Sequence, residues 1–493
     1  MNSFRCITSL ALAIPLLSLP LSAQQNSANL TETYKPVADK LTQAALADQD
    51  GYANLTYLCD HIGKRLSGTP QLNTAITWGA DLMKKAGLQN VTIQPVSVPH
   101  WVRGHEEGSI LAPVSKPLHL LGLGMSVATP KEGITADVVF VPSFDALDAL
   151  LNDQVKGKIV VFNPGWHGYG VGSTYRRTGP SRAAAKGAVA VLVRSATGLA
   201  LQIPHTGALD YDEKQPKIPA AAISVEDALL IERFAKEGPV KIHLQMDAHL
   251  EPEVQAGNVI GEIPGSEHPE QVVVLGGHID SWDVGQGAQD DGSGIMATFE
   301  AVSLIRKLNL HPKRTIRVVF WVNEENGTHG GEAYRKLVID KIKDQVAAIE
   351  MDGGAEKPVG FGYGGFGFRR AAAAAGAAPN ASGFTPPELS AEEQHSMDLL
   401  KQIGALLEPI GANEITPGGG GSDIGPITRE GVPSLGMKTV GTHYFDWHHT
   451  EADTLDKVDP EEFRKNIAAL AVMSYVLADM PERLAGRKSS GGE

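Results

Sequence analysis

The sequence contains little cysteine. Its 493 residues include two cysteines, Cys6 and Cys59, and Cys6 lies in an apolar segment at the N-terminus. Cys59 alone cannot form an internal disulfide bond or a cysteine-ligated zinc site. We therefore expect Cys59 to be packed rather than reactive, and the fold to depend on its hydrophobic core.

Two common hydrolase motifs are also missing. The sequence has no G-x-S-x-G elbow and no H-E-x-x-H helix, which disfavours serine hydrolases and single-zinc proteases. Positive charge is in deficit, with 43 Lys and Arg against 57 Asp and Glu, a net charge of −14. This balance argues against nucleic acid or an anionic membrane surface as a partner.

The first 23 residues have the layout of a secretory signal peptide. Arg5 precedes an apolar stretch from Ile7 to Leu21, and the small residues Ser22 and Ala23 offer a cleavage point. The stretch is too short and too interrupted by proline to span a membrane, and no second long apolar run follows. We expect a soluble protein that is secreted or periplasmic.

The fold class follows from near-continuous apolar runs that alternate with helical patterns. The runs QVVVLGG, RTIRVVFWV, QVAAIEMDGG and VPSLGMKTVG are typical of strands buried on both faces of a parallel or mixed sheet. They predict an α/β domain with a mixed, mostly parallel sheet flanked by helices. A β-rich block interrupts it, so the predicted organisation is a signal peptide (1–23), a first catalytic part (24–130), an insertion (131–250), a second catalytic part (251–485) and a disordered tail (486–493).

Two other segments have weaker patterns. GYGGFG, residues 362–367, formally satisfies G-x-G-x-x-G, but EKPVGF before it is a poor strand and no clear acidic ribose partner follows. We expect a mobile loop there. YRRTGPSR, residues 175–182, is the most basic cluster and predicts a solvated loop, with carboxylate binding or a dimer contact as the alternative.

Acidic and histidine side chains follow the ends of the predicted strands. Ligands bind at the carboxyl ends of strands in open α/β sheets, and several like charges at one edge repel unless a cation neutralises them. Imidazole and carboxylate without thiolate suit zinc or manganese. The set fits two metal ions about 3.5–4 Å apart; it comprises His278, Asp280, Asp290, Asp291, Glu324, Glu325, Asp352, His443, His448 and His449.

This pattern resembles the co-catalytic zinc aminopeptidase family. The family signature is His-x-Asp, Asp-Asp-Gly-x-Gly, Glu-Glu, Asp and His-Thr/Ser, and HIDSWDVGQGAQDDGSG and HHTEADT are most similar to its plasma glutamate carboxypeptidase (carboxypeptidase Q) branch. KGKIVVFN, AAAKGAVAVLV and IPAAAIS resemble its protease-associated domain. The resemblance implies a zinc-exopeptidase-like fold, two Zn²⁺ per chain and a homodimer.

Residue roles are implied by the same resemblance. Asp290 would bridge the metals through its carboxylate and be joined to Asp291 by a cis peptide bond. One coordination sphere would be completed by His278 and Asp352, and the other by Glu325 and His449. The general base would be Glu324, and Asp280 would orient His278 from outside the ligand sphere.

Further residues have less defined roles. Tyr444 and His448 are candidates for the donor that stabilises the oxyanion. Asp283, Asp291 and Glu332 are expected to be loop or supporting residues rather than ligands. Asp423 either shapes the cleft or makes an ordinary Asp-turn.

The expected function is hydrolysis of short peptides, as a dipeptidase or an aminopeptidase. One alternative is a carboxypeptidase that acts on acidic C-terminal residues. Others are a hydrolase or cyclase of a non-peptide amide, and a catalytically inactive binding protein on the same scaffold.

Overall fold

The structure is a computed structural model that describes residues 29–364 and 389–486. The predicted signal peptide, residues 365–367 of the GYGGFG segment and nearly all of the predicted tail lie outside these residues. No helix among the described residues is long and apolar enough to cross a membrane.

The strands of the described residues are, in chain order, β1 Gln89–Val102, β2 Glu106–Ala112, β3 Lys116–Pro117, β4 Leu120–Gly122, β5 Ile134–Val141, β6 Ile159–Phe162, β7 Ala190–Arg194, β8 Ala220–Ile223, β9 Lys241–Met246, β10 His249–Ile263, β11 His268–His278, β12 Arg314–Trp321, β13 Gln345–Glu350, β14 Pro358–Tyr363, β15 Glu414–Pro417 and β16 Ser434–Thr439.

The α-helices of the same residues are α1 Leu30–Ala47, α2 Asp50–Tyr57, α3 Pro70–Lys85, α4 Phe144–Asp148, α5 Asn152–Val155, α6 Tyr169–Ala185, α7 Val225–Glu237, α8 Ser293–Lys307, α9 His329–Val338, α10 Ala391–Ala405, α11 Gly425–Thr428, α12 Tyr444–Trp447 and α13 Pro460–Asp479. Short 3₁₀ or π turns cover Leu58–Ile62, Ala288–Gly292, Ile339–Asp344, Glu408–Ile410 and Leu455–Lys457.

The larger layer is an eight-stranded sheet with the order β1-β10-β12-β11-β13-β16-β14-β15. Its centre, β12-β11-β13-β16, is parallel, and so is the β14-β15 pair at one edge. β1 pairs antiparallel with β10, β10 with β12, and β14 with β16. The predicted mixed α/β sheet is thus confirmed. The expectation that EKPVGF is a poor strand was wrong, because Pro358–Tyr363 forms β14 between β16 and β15.

A second eight-stranded sheet, β3-β2-β9-β5-β6-β7-β8-β4, is formed by residues between β1 and β10. β1 and β10 are themselves an antiparallel pair in which Val102 lies opposite His249. The chain therefore leaves the first sheet and returns to it at paired positions.

Two buried helices cover one face of the first sheet. Helix α13 begins at Pro460, and its N-cap residue Asp459 accepts the N–H groups of Glu461 at 2.7 Å and Glu462 at 3.0 Å, as expected for a capped start. It packs on α8, which is buried from Ser293 to Ile305. Cys59 lies in the same core, as predicted, and is 2% exposed.

The basic cluster YRRTGPSR is not a solvated loop. It lies within α6, and the helix continues through Pro180. Arg177 is exposed, but Arg176 on the same turn is buried. The Gly-Pro pair is a strong loop signal locally, and packing of the helix against its own sheet overrides it.

Candidate metal centre

The predicted site residues lie at one edge of the first sheet. His278 is the last residue of β11 and lies opposite Trp321 at the end of β12. Glu324 and Glu325 follow β12, and Asp352 follows β13, the other neighbour of β11. Because parallel strands end at a common edge, three separate sequence motifs meet there.

Asp290 lies at the centre of the cluster. Its Oδ1 is 3.1 Å from Nε2 of His278, and its Oδ2 is 3.2 Å from Nε2 of His449. Each carboxylate oxygen thus faces a different imidazole. The peptide bond between Asp290 and Asp291 is cis, in agreement with the resemblance.

Two groups of potential ligand atoms form around this carboxylate. In the first, atoms of His278, Asp290 and Asp352 all lie within 4.8 Å of one another, and in the second the same holds for Asp290, His448 and His449. Glu325 joins the second group, since its Oε2 is 3.1 Å from Nε2 of His449. The geometry therefore brings together all five predicted ligands and adds His448.

The donor set suits cations. Asp290 Oδ2 and Glu325 Oε1 are buried and make no hydrogen bond with a described residue. Burial raises the pKa of Glu325 to about 8, with the charge of Asp290 adding to the effect. Unpaired buried carboxylates are costly, and a positive ion between these oxygens and the imidazole nitrogens would relieve both the burial and the repulsion.

The contact between Asp280 and His278 differs from the expectation. Nδ1 of His278 lies 3.0 Å from the backbone oxygen of Asp280, whereas the nearest carboxylate oxygen is 3.9 Å away. The carboxylate accepts instead the N–H groups of Glu324 at 3.1 Å and Glu325 at 3.3 Å. Asp280 thus orients His278 through its carbonyl group and holds the glutamate pair through its side chain.

Glu324 is half-buried beside the cluster. Burial raises the pKa of its carboxyl group, and the negative charges of Asp352 and Asp290 act in the same direction. A carboxylate in this position can accept a proton from a nucleophile near Asp290.

Asp291 supports the site from outside the ligand groups, as predicted. It is fully buried, and its carboxylate accepts the N–H of His278 at 3.0 Å and that of Gly294 at 3.1 Å. The latter bond caps the start of α8. One aspartate thereby fixes a ligand strand and the helix that follows the ligand loop.

Three other predicted supporting residues have different surroundings. Asp283 forms a bidentate pair with Arg103, at 2.6 and 2.7 Å, and Glu332 pairs with Arg429 on the surface. The carboxylate of Asp423 is buried and makes no hydrogen bond with a described residue. The Asp-turn interpretation of Asp423 is therefore wrong, because its side chain does not bond to the backbone.

Sequence reasoning missed Arg65, which organises the loop after β11. Its guanidinium donates to the carbonyl groups of Ile279 at 2.5 Å, Gln286 at 2.9 Å and Gly287 at 3.1 Å. The side chain is fully buried. The surrounding sequence GKRLSGTP contains a break in a helical pattern, and nothing in it indicates a contact with a loop more than two hundred residues away.

Asp453 was also missed. Burial raises its pKa to about 7, and its two oxygens accept the N–H groups of Gln289 and Asp290. Its place in HHTEADT, the motif that also contains the predicted ligand His449, was the signal that could have identified it.

Of the two oxyanion candidates, His448 has the contact with the ligand cluster. Its ring stacks on that of His449 with centroids 3.6 Å apart, and its Nε2 is 3.3 Å from Oδ2 of Asp290. Tyr444 lies behind it, with ring centroids 5.0 Å apart.

Residues of the second sheet's segment border the site. Tyr169 on α6 packs edge-on against His448 and stacks on Phe445, with ring centroids 4.8 Å apart in both pairs. A small pocket adjoins the cluster. Its lining comprises Trp282, Val284, Gly287, Asp290, Glu325, His449, Thr450 and Asp453.

Fold and site together define a class of protein. Amide hydrolysis needs an activated nucleophile and an electrophile for the carbonyl oxygen, and sites of imidazole and carboxylate groups provide both through metal ions. Such a site at the carboxyl edge of this mixed sheet is that of a metallopeptidase.

Comparison with known proteins identifies the family. The model of peptidase family M28 matches residues 258–474, and that of the PA domain matches residues 127–231. The chain belongs to peptidase family M28 and carries a PA domain within it.

Relatives cover most of the chain. Carboxypeptidase Q of Bos taurus is 38% identical over 445 residues, which are 90% of this chain and 88% of that protein. A crystal structure of a peptidase M28 precursor from Shewanella amazonensis superposes with a TM-score of 0.83 at 32% identity, covering 92% of this chain and 98% of that one. BSAP, a zinc aminopeptidase from Bacillus subtilis, shares the fold, with a TM-score of 0.63 at 20% identity, covering 88% of this chain and 95% of its own.

Proposed function

We propose that the protein is an exported di-zinc exopeptidase that hydrolyses dipeptides or removes the N-terminal residue of short peptides. One observation carries this proposal: the two carboxylate oxygens of Asp290 face different histidines, at 3.1 and 3.2 Å. A carboxylate that faces two ligand groups is suited to bridge two ions.

The ligand chemistry and one relative support zinc. Imidazole and carboxylate groups without thiolate suit this ion, and the Bacillus subtilis neighbour is described as a zinc aminopeptidase. In the proposed site, His278 and Asp352 would hold one ion, Glu325 and His449 would hold the other, and Asp290 would contribute its carboxylate to both. Zinc ions bound there would lower the pKa of water and polarise the substrate carbonyl.

Proton transfer is assigned to Glu324. Its carboxylate accepts the proton of the attacking water and passes it to the amine that leaves. Asp280 holds the backbone N–H of this residue, so the base is kept close to the ligand cluster. His448 is the proposed donor to the developing oxyanion.

Enclosure of the site favours short substrates. Tyr169 and Phe445 border it, and Trp282 lines the space beside Asp290, Glu325 and His449. These aromatic walls suit the end of a peptide or a dipeptide better than the middle of a long chain.

Two alternatives remain within amide hydrolysis. A carboxypeptidase is suggested by the name of the carboxypeptidase Q relatives, and a non-peptide amide would suit the same chemistry. Substrates with a blocked N-terminus separate the first alternative, because a dipeptidase or an aminopeptidase should lose activity on them.

Export and assembly are also part of the proposal. The layout of residues 1–23 supports secretion or a periplasmic location, and the resemblance to the carboxypeptidase Q branch supports a homodimer. Sedimentation of the mature protein tests the dimer, and N-terminal sequencing of exported protein tests cleavage before Gln24.

The main test combines metal content with dipeptide hydrolysis on the same preparation. Wild type is compared with Glu324→Gln and with Glu332→Gln, a surface control. We expect two zinc ions per chain in all three proteins, and a loss of activity only in Glu324→Gln. Two ions with no dipeptidase activity in wild type would point to another amide. No bound ion after zinc is added would refute the metal mechanism.

A further inference from the structure

The loop between β7 and β8, which belongs to the second sheet, touches His449. The backbone N–H of Thr206 donates to the carbonyl oxygen of His449 at 3.0 Å. In the reverse direction, Nδ1 of His449 lies 3.2 Å from the carbonyl oxygen of Thr206. His449 has a φ of 61°, a left-handed backbone that few non-glycine residues adopt. The paired contacts therefore hold an unusual conformation.

The contact with the carbonyl group decides which ring nitrogen of His449 carries the proton. A carbonyl oxygen only accepts hydrogen bonds, so Nδ1 must be the donor. Nε2 then has its lone pair free, and it is the atom that faces Asp290 at 3.2 Å and Glu325 at 3.1 Å. The insertion thus selects the tautomer that a metal ligand needs.

Arg176 on α6 holds this carbonyl group in place. Its Nη1 donates to the oxygen of Thr206 at 3.0 Å and lies 3.5 Å from Nδ1 of His449. Its Nη2 donates to the hydroxyl of Tyr169 at 3.0 Å. Arg176 is 8% exposed, and a Cβ atom on Gly207 would lie 2.2 Å from the guanidinium carbon. The space beside the loop is thus filled by this side chain.

The hydroxyl of Thr206 gives a second anchor. It donates to the carbonyl oxygen of Gly122 at 2.7 Å, and the same oxygen accepts Nη1 of Arg103 at 2.5 Å. By contrast, the other proposed histidine ligand, His278, is oriented by the carbonyl group of Asp280 from its own sheet. The two histidines therefore depend on different parts of the chain.

We propose that Arg176 is a positioning residue for a metal ligand. It fixes the Thr206 carbonyl group that orients His449, so that the inserted segment helps to form the group of ligands that would hold one of the two ions. This inference rests on the proposed two-metal function. It predicts that the two ions are unequally sensitive to changes in the insertion.

The test measures the two zinc dissociation constants by competition with a chromophoric chelator. The proteins are wild type, Arg176→Met and the matched control Arg177→Met, whose arginine is exposed and paired with Asp210. Circular dichroism verifies that each is folded. We expect Arg176→Met to raise the dissociation constant of one of the two ions about 10- to 100-fold and to change that of the other by less than about twofold. Arg177→Met should match wild type.

Other results separate this inference from the proposed function. Two ions with unchanged constants in folded Arg176→Met would overturn the positioning role alone, and so would an equal weakening of both. A wild type that binds no zinc would overturn the proposed function. If Arg176→Met does not fold, Arg176→Lys keeps the charge but cannot reproduce the two contacts of the planar guanidinium with Thr206 and Tyr169. We then expect the binding of one ion to weaken by about two- to tenfold, and unchanged constants would again overturn the inference.

Discussion

Asp453 is bound to the backbone of Asp290. One oxygen of Asp453 accepts the N–H of Gln289 at 2.7 Å, and the other accepts that of Asp290 at 3.2 Å. His449, from the same HHTEADT motif, faces the side chain of Asp290. One short motif therefore fixes both the main chain and the carboxylate of the residue at the centre of the site.

Replacement of Asp453 by alanine should lower the free energy of unfolding even when no metal is bound. Two buried N–H groups would lose their acceptor, which costs about 2–5 kcal/mol in the free energy of unfolding. Urea denaturation in the presence of a chelator measures this without a contribution from bound zinc. Asp456→Ala, an exposed position nearby, is the control, and a loss below about 1 kcal/mol for Asp453→Ala would contradict the assignment.

Arg65→Lys should be strongly destabilising although it keeps the charge. An ammonium group cannot reproduce the planar set of donors that serves Ile279, Gln286 and Gly287. Buried carbonyl groups would be left unpaired, and we expect a loss of about 3 kcal/mol. Thermal or urea unfolding checks this value against the exposed neighbour Lys64→Arg. Equal stability of the two variants would show that the loop does not depend on Arg65.

Removal of metal should abolish activity and lower the melting temperature together. Ligands that bind only the folded state add about 2.7 kcal/mol at a concentration of one hundred times Kd. We expect dialysis against a chelator to remove both properties and added zinc to restore both. Activity that survives when the zinc content falls below about one tenth of an ion per chain would exclude a metal mechanism.

The oxyanion donor can be assigned by two substitutions. Loss of such a donor lowers kcat by about 10²–10³. We expect His448→Phe to have an effect of that size, because its Nε2 reaches the ligand cluster, and Tyr444→Phe to have a smaller one. Steady-state kinetics on a dipeptide decide between them, with metal content measured in parallel. The reverse order would assign the role to Tyr444.

Stability should decrease as the pH rises because of Glu300. Burial raises the pKa of Glu300 to about 7, with the nearby Asp48 adding to the effect. Its usual value is 4.5, so the folded state binds a proton more tightly than the unfolded state. The associated stability is therefore complete below pH 4.5 and is lost by about pH 7, a change of up to about 3 kcal/mol.

This window can be measured directly. Lys307 lies between Asp50 and Glu300, at 2.8 and 2.7 Å from them, and its charge opposes the rise in the pKa of Glu300 without cancelling it. Urea unfolding at pH 5 and pH 8 should show a smaller difference for Glu300→Gln than for wild type. Glu408→Gln, at an exposed position, should behave as wild type. An unchanged difference in Glu300→Gln would assign the pH dependence to other groups.

The sequence predicted those parts of the molecule that repeat a local pattern. Apolar runs identified β11, β12, β13 and β16, and their carboxyl ends identified the acids and histidines, since strand ends of a parallel sheet must meet. The role of Arg176 was not predicted because Gly179-Pro180 resembles a loop, whereas packing keeps α6 helical. The role of Thr206 was not predicted because its contribution is a backbone carbonyl group, which any residue type could provide. Arg65 acts on the main chain of a distant loop, and no spacing rule indicates such a contact.

The pairing of Val102 with His249 separates what holds the first sheet from what the inserted segment contributes. The inserted segment begins and ends at the tip of one β-hairpin, the kind of site where extra chain is tolerated because the closing strands already hold each other. The first sheet is therefore closed at this point by its own strands, whereas the orientation of the His449 ring comes from the inserted segment, through the carbonyl group of Thr206. We expect deletion of residues 103–248 to leave the pairing of β1 with β10 in place and to remove this contact.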